Sequence, residues 1–63
     1  MLDNHLYDLL IQLVQENKSL WRIKNEYLKN AEGHEEEVIF WEKMTKDKEA
    51  HIEELASLVK KHL

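Results

Sequence analysis

The sequence predicts an all-α protein, an antiparallel two-helix hairpin that dimerises into a four-helix bundle. Three observations point there. Glycine occurs once in 63 residues, at Gly33, and proline not at all, whereas a sheet of this size needs several tight turns, each usually drawing on Gly, Pro or Asn-Gly chemistry. Apolar residues recur at spacings of three and four on both sides of Gly33, the period of a helix with one apolar face. There is no cysteine, so neither disulfides nor a thiolate metal site can stabilise so short a chain. Single cores below ~70–80 residues rarely supply more than ~3–5 kcal/mol, so association with further copies is the economical remedy.

The first helix is expected over about residues 3–31. Its stripe runs through Leu6, Tyr7, Leu10, Leu13, Val14, Leu20, Trp21, Tyr27 and Leu28, with Leu9 and Ile23 beside it. Asp3 or Asn4 can cap its start by accepting from free backbone N–H groups, and Asp8 lies near the positive end of the helix dipole. The turn is expected at 32–34, with Gly33 in the left-handed conformation found just past helix ends. Glu35, Glu36 and Glu37 then suit the first turn of a second helix over about 35–62. That helix carries Val38, Phe40, Trp41, Met44, Ile52, Leu55, Leu58 and Val59, with His51 and Ala56 in phase, and ends in Lys60, Lys61 and His62. A single unbroken helix is the rival arrangement, with a repeat through Ala31, Val38, Trp41, Ile52, Leu55 and Val59. It omits Phe40, Met44 and Leu58 and puts His34, Thr45 and Lys48 on the seam.

Two arms alone leave the outer half of each stripe wet, so a homodimer or higher homo-oligomer is expected. Trp21, Tyr27, Phe40, Trp41 and Met44 are the expected core or dimer-interface anchors, since large aromatic side chains bury the most area. Trp21 and Trp41 fall about a turn apart across the hairpin.

Each stripe is interrupted near its middle. Leu9, Leu13, Glu16, Leu20 and Ile23 step by three and four, so Glu16 stands among apolar neighbours, with Asn17 alongside. On the second arm Asp47, Lys48 and His51 interrupt the run between Met44 and Leu55. With the turn at Gly33, residues whose numbers add to about 65 or 66 share a level, so Glu16 falls within a turn of Lys48 and His51. A carboxylate in an apolar layer is costly unless it is paired, hydrogen-bonded or bound to a metal. Three arrangements remain open on these residues. Glu16 pairs with Lys48 and His51 and fixes register; Glu16 and His51 of two subunits converge on a metal; or these side chains are solvated.

The stretch from Tyr27 to Leu55 resembles a helix pair of rubrerythrin and other ferritin-like proteins. The likeness lies in the aromatic and small residues before the turn, an aromatic a third of the way along the second helix, and His51 followed by Ile52 and Leu55 in the manner of a Glu-x-x-His motif. The resemblance implies a four-helix bundle holding iron or another divalent metal, with oxidase or peroxidase chemistry at a site shared between subunits. On that footing Glu16 matches the first-helix Glu and His51 the motif His. Lys48 stands where the bridging Glu belongs, and an ammonium cannot ligate a cation. Asp47 could substitute after a slight rotation, giving Glu16, Asp47 and His51 as metal ligands. Alternatively Lys48 replaces the metal's charge, leaving a structural or adaptor module.

Other classes find little support. Ser19 and Ser57 are the only serines, both placed within helices, and one glycine cannot build a phosphate loop. A net charge of -4 argues against nucleic acid. No apolar run reaches the ~18 residues of a membrane span, and the start lacks the basic stretch of a signal peptide, so a cytoplasmic protein is expected. The second half, acidic from Glu32 onward, offers little to a membrane surface. His34 with Glu37 is a candidate cation site at the turn, and His5 and His62 share a level at the open end; acidic residues at a helix start and exposed terminal histidines account for both.

Overall fold

The computed structural model describes residues 4–62, and it is a helical hairpin. The first arm comprises α1 (Asn4–Arg22), a π-helical turn (Ile23–Tyr27) and the short α2 (Leu28–Asn30); the second is one helix, α3 (Glu35–Lys61). No strand occurs among the described residues. The capping expectation for Asp3 lies outside them.

The chain reverses over Ala31–His34, where the His34 N–H donates to the Ala31 carbonyl at 2.8 Å. Gly33 has φ +88° at the third residue of this turn, the place where a type II turn requires a positive φ. A Cβ added there would meet nothing within 4 Å, so the demand for glycine is conformational and not steric. α3 restarts at once: the Glu37 and Val38 N–H groups donate to the His34 carbonyl, both at 3.0 Å. Glu35, Glu36 and Glu37 fill its first turn and Lys60 and Lys61 its last, matching the dipole at both ends. The unbroken-helix rival is thereby excluded.

The π turn is the one element without a forerunner in the sequence pattern. The Leu28 N–H donates to the Ile23 carbonyl, five residues back, and each such insertion rotates the following residues relative to a regular helix. Tyr27, which ends it, and Leu28 are half-buried and Ala31 is buried, while Ile23, which opens the turn, is 1% exposed. The Asn25 side chain donates to the Trp21 carbonyl at 2.9 Å, tying the turn to the last regular stretch of α1.

The core between the arms is a narrow strip. Leu6 and Val59 close it at the open end, Ile23 and Ala31 toward the turn. Tyr27 lies against Trp41 with ring centroids 4.9 Å apart, and Trp41 meets Phe40 edge-on at 5.1 Å. The molecule measures 48 × 16 × 13 Å, with a radius of gyration of 14.4 Å, against about 11 Å for a compact globule of this length. Of the expected anchors, Tyr27, Trp41 and Met44 are half-buried between the arms, whereas Trp21 (58% exposed) and Phe40 (53%) lie outside. Tyr7, Val14 and Leu58, assigned to inward stripes by spacing, are exposed too. The reason is geometric: the apolar arc of each helix is wider than the strip a single neighbouring helix can cover.

Gly33→Ala should lower stability by about 1–2 kcal/mol, because the added Cβ penalises the left-handed backbone, and Gly33→Asn should cost less. Chemical denaturation followed by circular dichroism measures both; equal stability of Gly33→Ala and the parent would contradict the assigned turn.

Candidate functional site: a polar layer between the arms

Glu16 is the one buried charged residue among those described, at 8% exposure. The step from Leu13 to Glu16 to Leu20 puts it on the inner face of α1, and the turn at Gly33 brings Lys48 of α3 to the same level. Lys48 Nζ donates to Glu16 Oε2 at 3.0 Å. The other carboxylate oxygen accepts from Gln12 Nε2 at 3.1 Å and has His51 Nδ1 at 3.9 Å. Each oxygen thus has a polar neighbour, and no buried side-chain nitrogen or oxygen among the described residues lacks a hydrogen-bond partner.

The electrostatics follow. The Lys48 hydrogen bond holds the Glu16 carboxyl below its ordinary value; burial pulls the other way, and Gln12, with the charges of Lys48 and His51, adds to the lowering. Lys48 shows 19% of its side chain to solvent and Glu16 11%. The ammonium therefore reaches in from the edge of the strip along its own aliphatic stem. This spares the pair the full desolvation of a deeply buried ion pair.

The sequence placed Glu16, Lys48 and His51 at one level, and the structure brings them together. Asp47 stands apart: it is exposed, and no cluster of three or more His, Asp or Glu side chains able to hold a metal occurs among the described residues. The place a cation would take beside Glu16 is filled by the Lys48 ammonium. An open groove beside the layer is lined by Gln12, Glu16, His51, Glu54, Leu55 and Leu58. Gln12 was not singled out by sequence reasoning. Its signal is the (i, i+4) spacing to Glu16, which lets a Gln amide reach the carboxylate one turn on.

The secondary candidates resolve simply. His34 Nδ1 lies 3.9 Å from Glu37 Oε2 on an exposed helix start, and the His5 and His62 rings meet edge-on at 4.7 Å, two imidazoles without a third ligand. Lys24 and Glu49 pair at 3.5 Å, both half-exposed, a geometry of little energetic weight. No described helix is long and apolar enough to cross a membrane.

Comparisons of the chain with protein-family models, curated proteins and solved structures yield no match in any of the three.

Two predictions follow from the layer. Lys48→Ala should cost about 1–3 kcal/mol, since it strands a carboxylate that is charged at neutral pH. The double replacement Glu16→Leu with Lys48→Leu should be neutral or stabilising, because it removes both desolvation costs; urea unfolding of the two variants checks the order. Because the Glu16 pKa is lowered by folding, its contribution is present at neutral pH and is lost as pH falls through the ordinary carboxylate range and below. Glu16→Gln should therefore flatten the acid limb of the stability profile, and an unchanged acid limb would refute the pairing.

Proposed function

We propose that this chain is an assembly module, a self-associating helical hairpin that joins with a second copy to bring four helices together. In this reading the Glu16–Lys48–His51 layer sets the register of the two arms and performs no chemistry. One observation carries the reading. Among the described hydrophobic residues only Leu6, Ile23, Ala31 and Val59 are buried, while Tyr7, Ile11, Val14, Trp21, Ile39, Phe40 and Leu58 are exposed large ones. So much uncovered apolar surface on so small a chain is the mark of an interaction surface.

The proposal takes from the ferritin-like resemblance the pairing of hairpins, and leaves its metal centre aside. Holding iron or another divalent metal would require Glu16 to release Lys48, the ammonium would repel the cation, and Asp47 would have to turn inward. A homodimer of hairpins whose buried carboxylate is already paired with Lys48 fits a scaffold or adaptor role better than oxidase or peroxidase chemistry.

Sedimentation equilibrium of untagged protein across the micromolar range should give at least twice the mass of one chain, and a stable monomer would overturn the proposal. Iron(II) titration of the same sample should show no saturable site. Stoichiometric binding that disappears in Glu16→Gln and in His51→Ala would replace the assembly reading with the metal one.

A further inference from the structure

The first arm carries a second apolar seam, distinct from the one facing α3. Tyr7, Ile11, Val14, Lys18 and Trp21 follow one another at spacings of four, three, four and three within α1. This is the heptad alternation of a coiled-coil seam, with Tyr7, Val14 and Trp21 at one core position and Ile11 and Lys18 at the other. The structure leaves the whole seam in solvent: Tyr7 is 54% exposed, Ile11 43%, Val14 48% and Trp21 58%, and Lys18 is exposed as well. The contrasting flank on α3, through the exposed Phe40, Asp47, His51, Glu54 and Leu58, is broken at its centre by three polar residues and makes a poorer seam.

We propose that this face of α1 docks against the same face of a second copy, antiparallel and about a two-fold axis level with Glu16. The inference rests on the self-association proposed above and adds the surface and the orientation.

Charge selects the occupant and the direction. The residues flanking the seam on one side, one place after Tyr7, Val14 and Trp21, are Asp8, Gln15 and Arg22, all exposed. In an antiparallel pair this flank meets its own copy. Asp8 then faces Arg22 of the other chain, Arg22 faces Asp8, and Gln15 meets Gln15 at the axis. In the core the same register puts Ile11 against Trp21, and Val14 against the aliphatic stem of Lys18, whose ammonium can extend to water. A parallel pair would instead set Lys18 against Lys18 within the seam and leave Asp8 without a cation. A lone polar residue at a core position is a known device for fixing register and orientation. A two-fold pairing also closes on itself, so it yields a discrete dimer and not a filament.

The arrangement puts the two first arms at the middle of the assembly and the two α3 helices outside. Each Glu16–Lys48–His51 layer stays within its own hairpin, so no site shared between subunits is formed from it.

The test uses substitutions at exposed positions, with circular dichroism confirming that helix content is kept. Val14→Glu should weaken the dimer at least tenfold in sedimentation equilibrium. Asp8→Arg should weaken it about threefold to tenfold, as expected for two flanking ion pairs, and the double variant Asp8→Arg with Arg22→Asp should recover the parent affinity. With no native cysteine, single cysteines report orientation: Gln15→Cys should form an interchain disulfide readily, Val14→Cys slowly, and the reverse order would establish a parallel pair and overturn the proposal. A wild-type dimer unaffected by Val14→Glu would sink this surface while leaving self-association standing. A wild-type monomer would sink both. A monomer that co-sediments with vesicles of anionic phospholipid through Trp21 and Arg22 would assign the face to lipid and equally overturn the proposal.

Discussion

A pair of helices has one interface, and every side chain off that interface faces water. The fold of this chain follows from that constraint. The hairpin can dry only a strip along each arm, so apolar residues on the flanks remain wet however well the turn and caps are made. The elongated shape is another expression of the same limit: two arms side by side have no third layer to fold over them. Most helical stability in proteins comes from packing an amphipathic face and not from propensity alone. The exposed residues on α1 therefore represent stabilisation that one chain by itself does not collect.

The same constraint explains how a charged pair is tolerated at mid-length. In a deep core an ion pair must be fully desolvated, and a well-packed apolar pair is often the more stable choice. In a two-helix strip every interior position is close to an edge. Lys48 reaches Glu16 while keeping part of its length in solvent, and Gln12 completes the carboxylate from the same helix. The pair costs less than it would in a larger protein and gives the arms a defined register, because a slip along the helix axis would leave Glu16 buried among leucines without a cation. Uniform apolar strips interlock less uniquely.

Much of this was legible in the residues, for reasons that are physical. Gly33 marks the turn because no other residue type takes a positive φ so cheaply, and its position sets which residues share a level. From there Glu16 with Lys48 and His51 and His5 near His62 follow from counting, and the structure places each pair in contact or close to it; Trp41, expected about a turn from Trp21, meets Tyr27 instead. The π turn was not legible. A one-residue insertion in a helix leaves composition and cap signals unchanged, and Ile23–Tyr27 contains no proline or glycine to announce it. Trp21 was misplaced for a different reason. On a helix whose apolar arc covers well over a third of its circumference, spacings of three and four can be threaded through more than one line of residues. Leu6, Leu13, Leu20 and Ile23 form one such line and Tyr7, Val14 and Trp21 another; periodicity alone does not say which faces the neighbour.

Those two lines assign different tasks to one helix. The inner line carries Glu16 and meets α3 within the chain, so its charge is balanced locally and needs nothing from outside. The outer line is apolar at its core positions apart from Lys18, and among the described residues no ion pair engages its flanking Asp8 or Arg22. Asp8 and Arg22 lie fourteen residues apart on α1, about 21 Å at the helical rise, too far to reach each other within one chain. In the proposed two-fold, antiparallel pair they would meet twice. The hairpin thus satisfies its buried carboxylate internally and leaves the apolar residues on the outer face of α1 in solvent. On the proposal above, that division leaves the polar layer to the fold and the outer face of α1 to association.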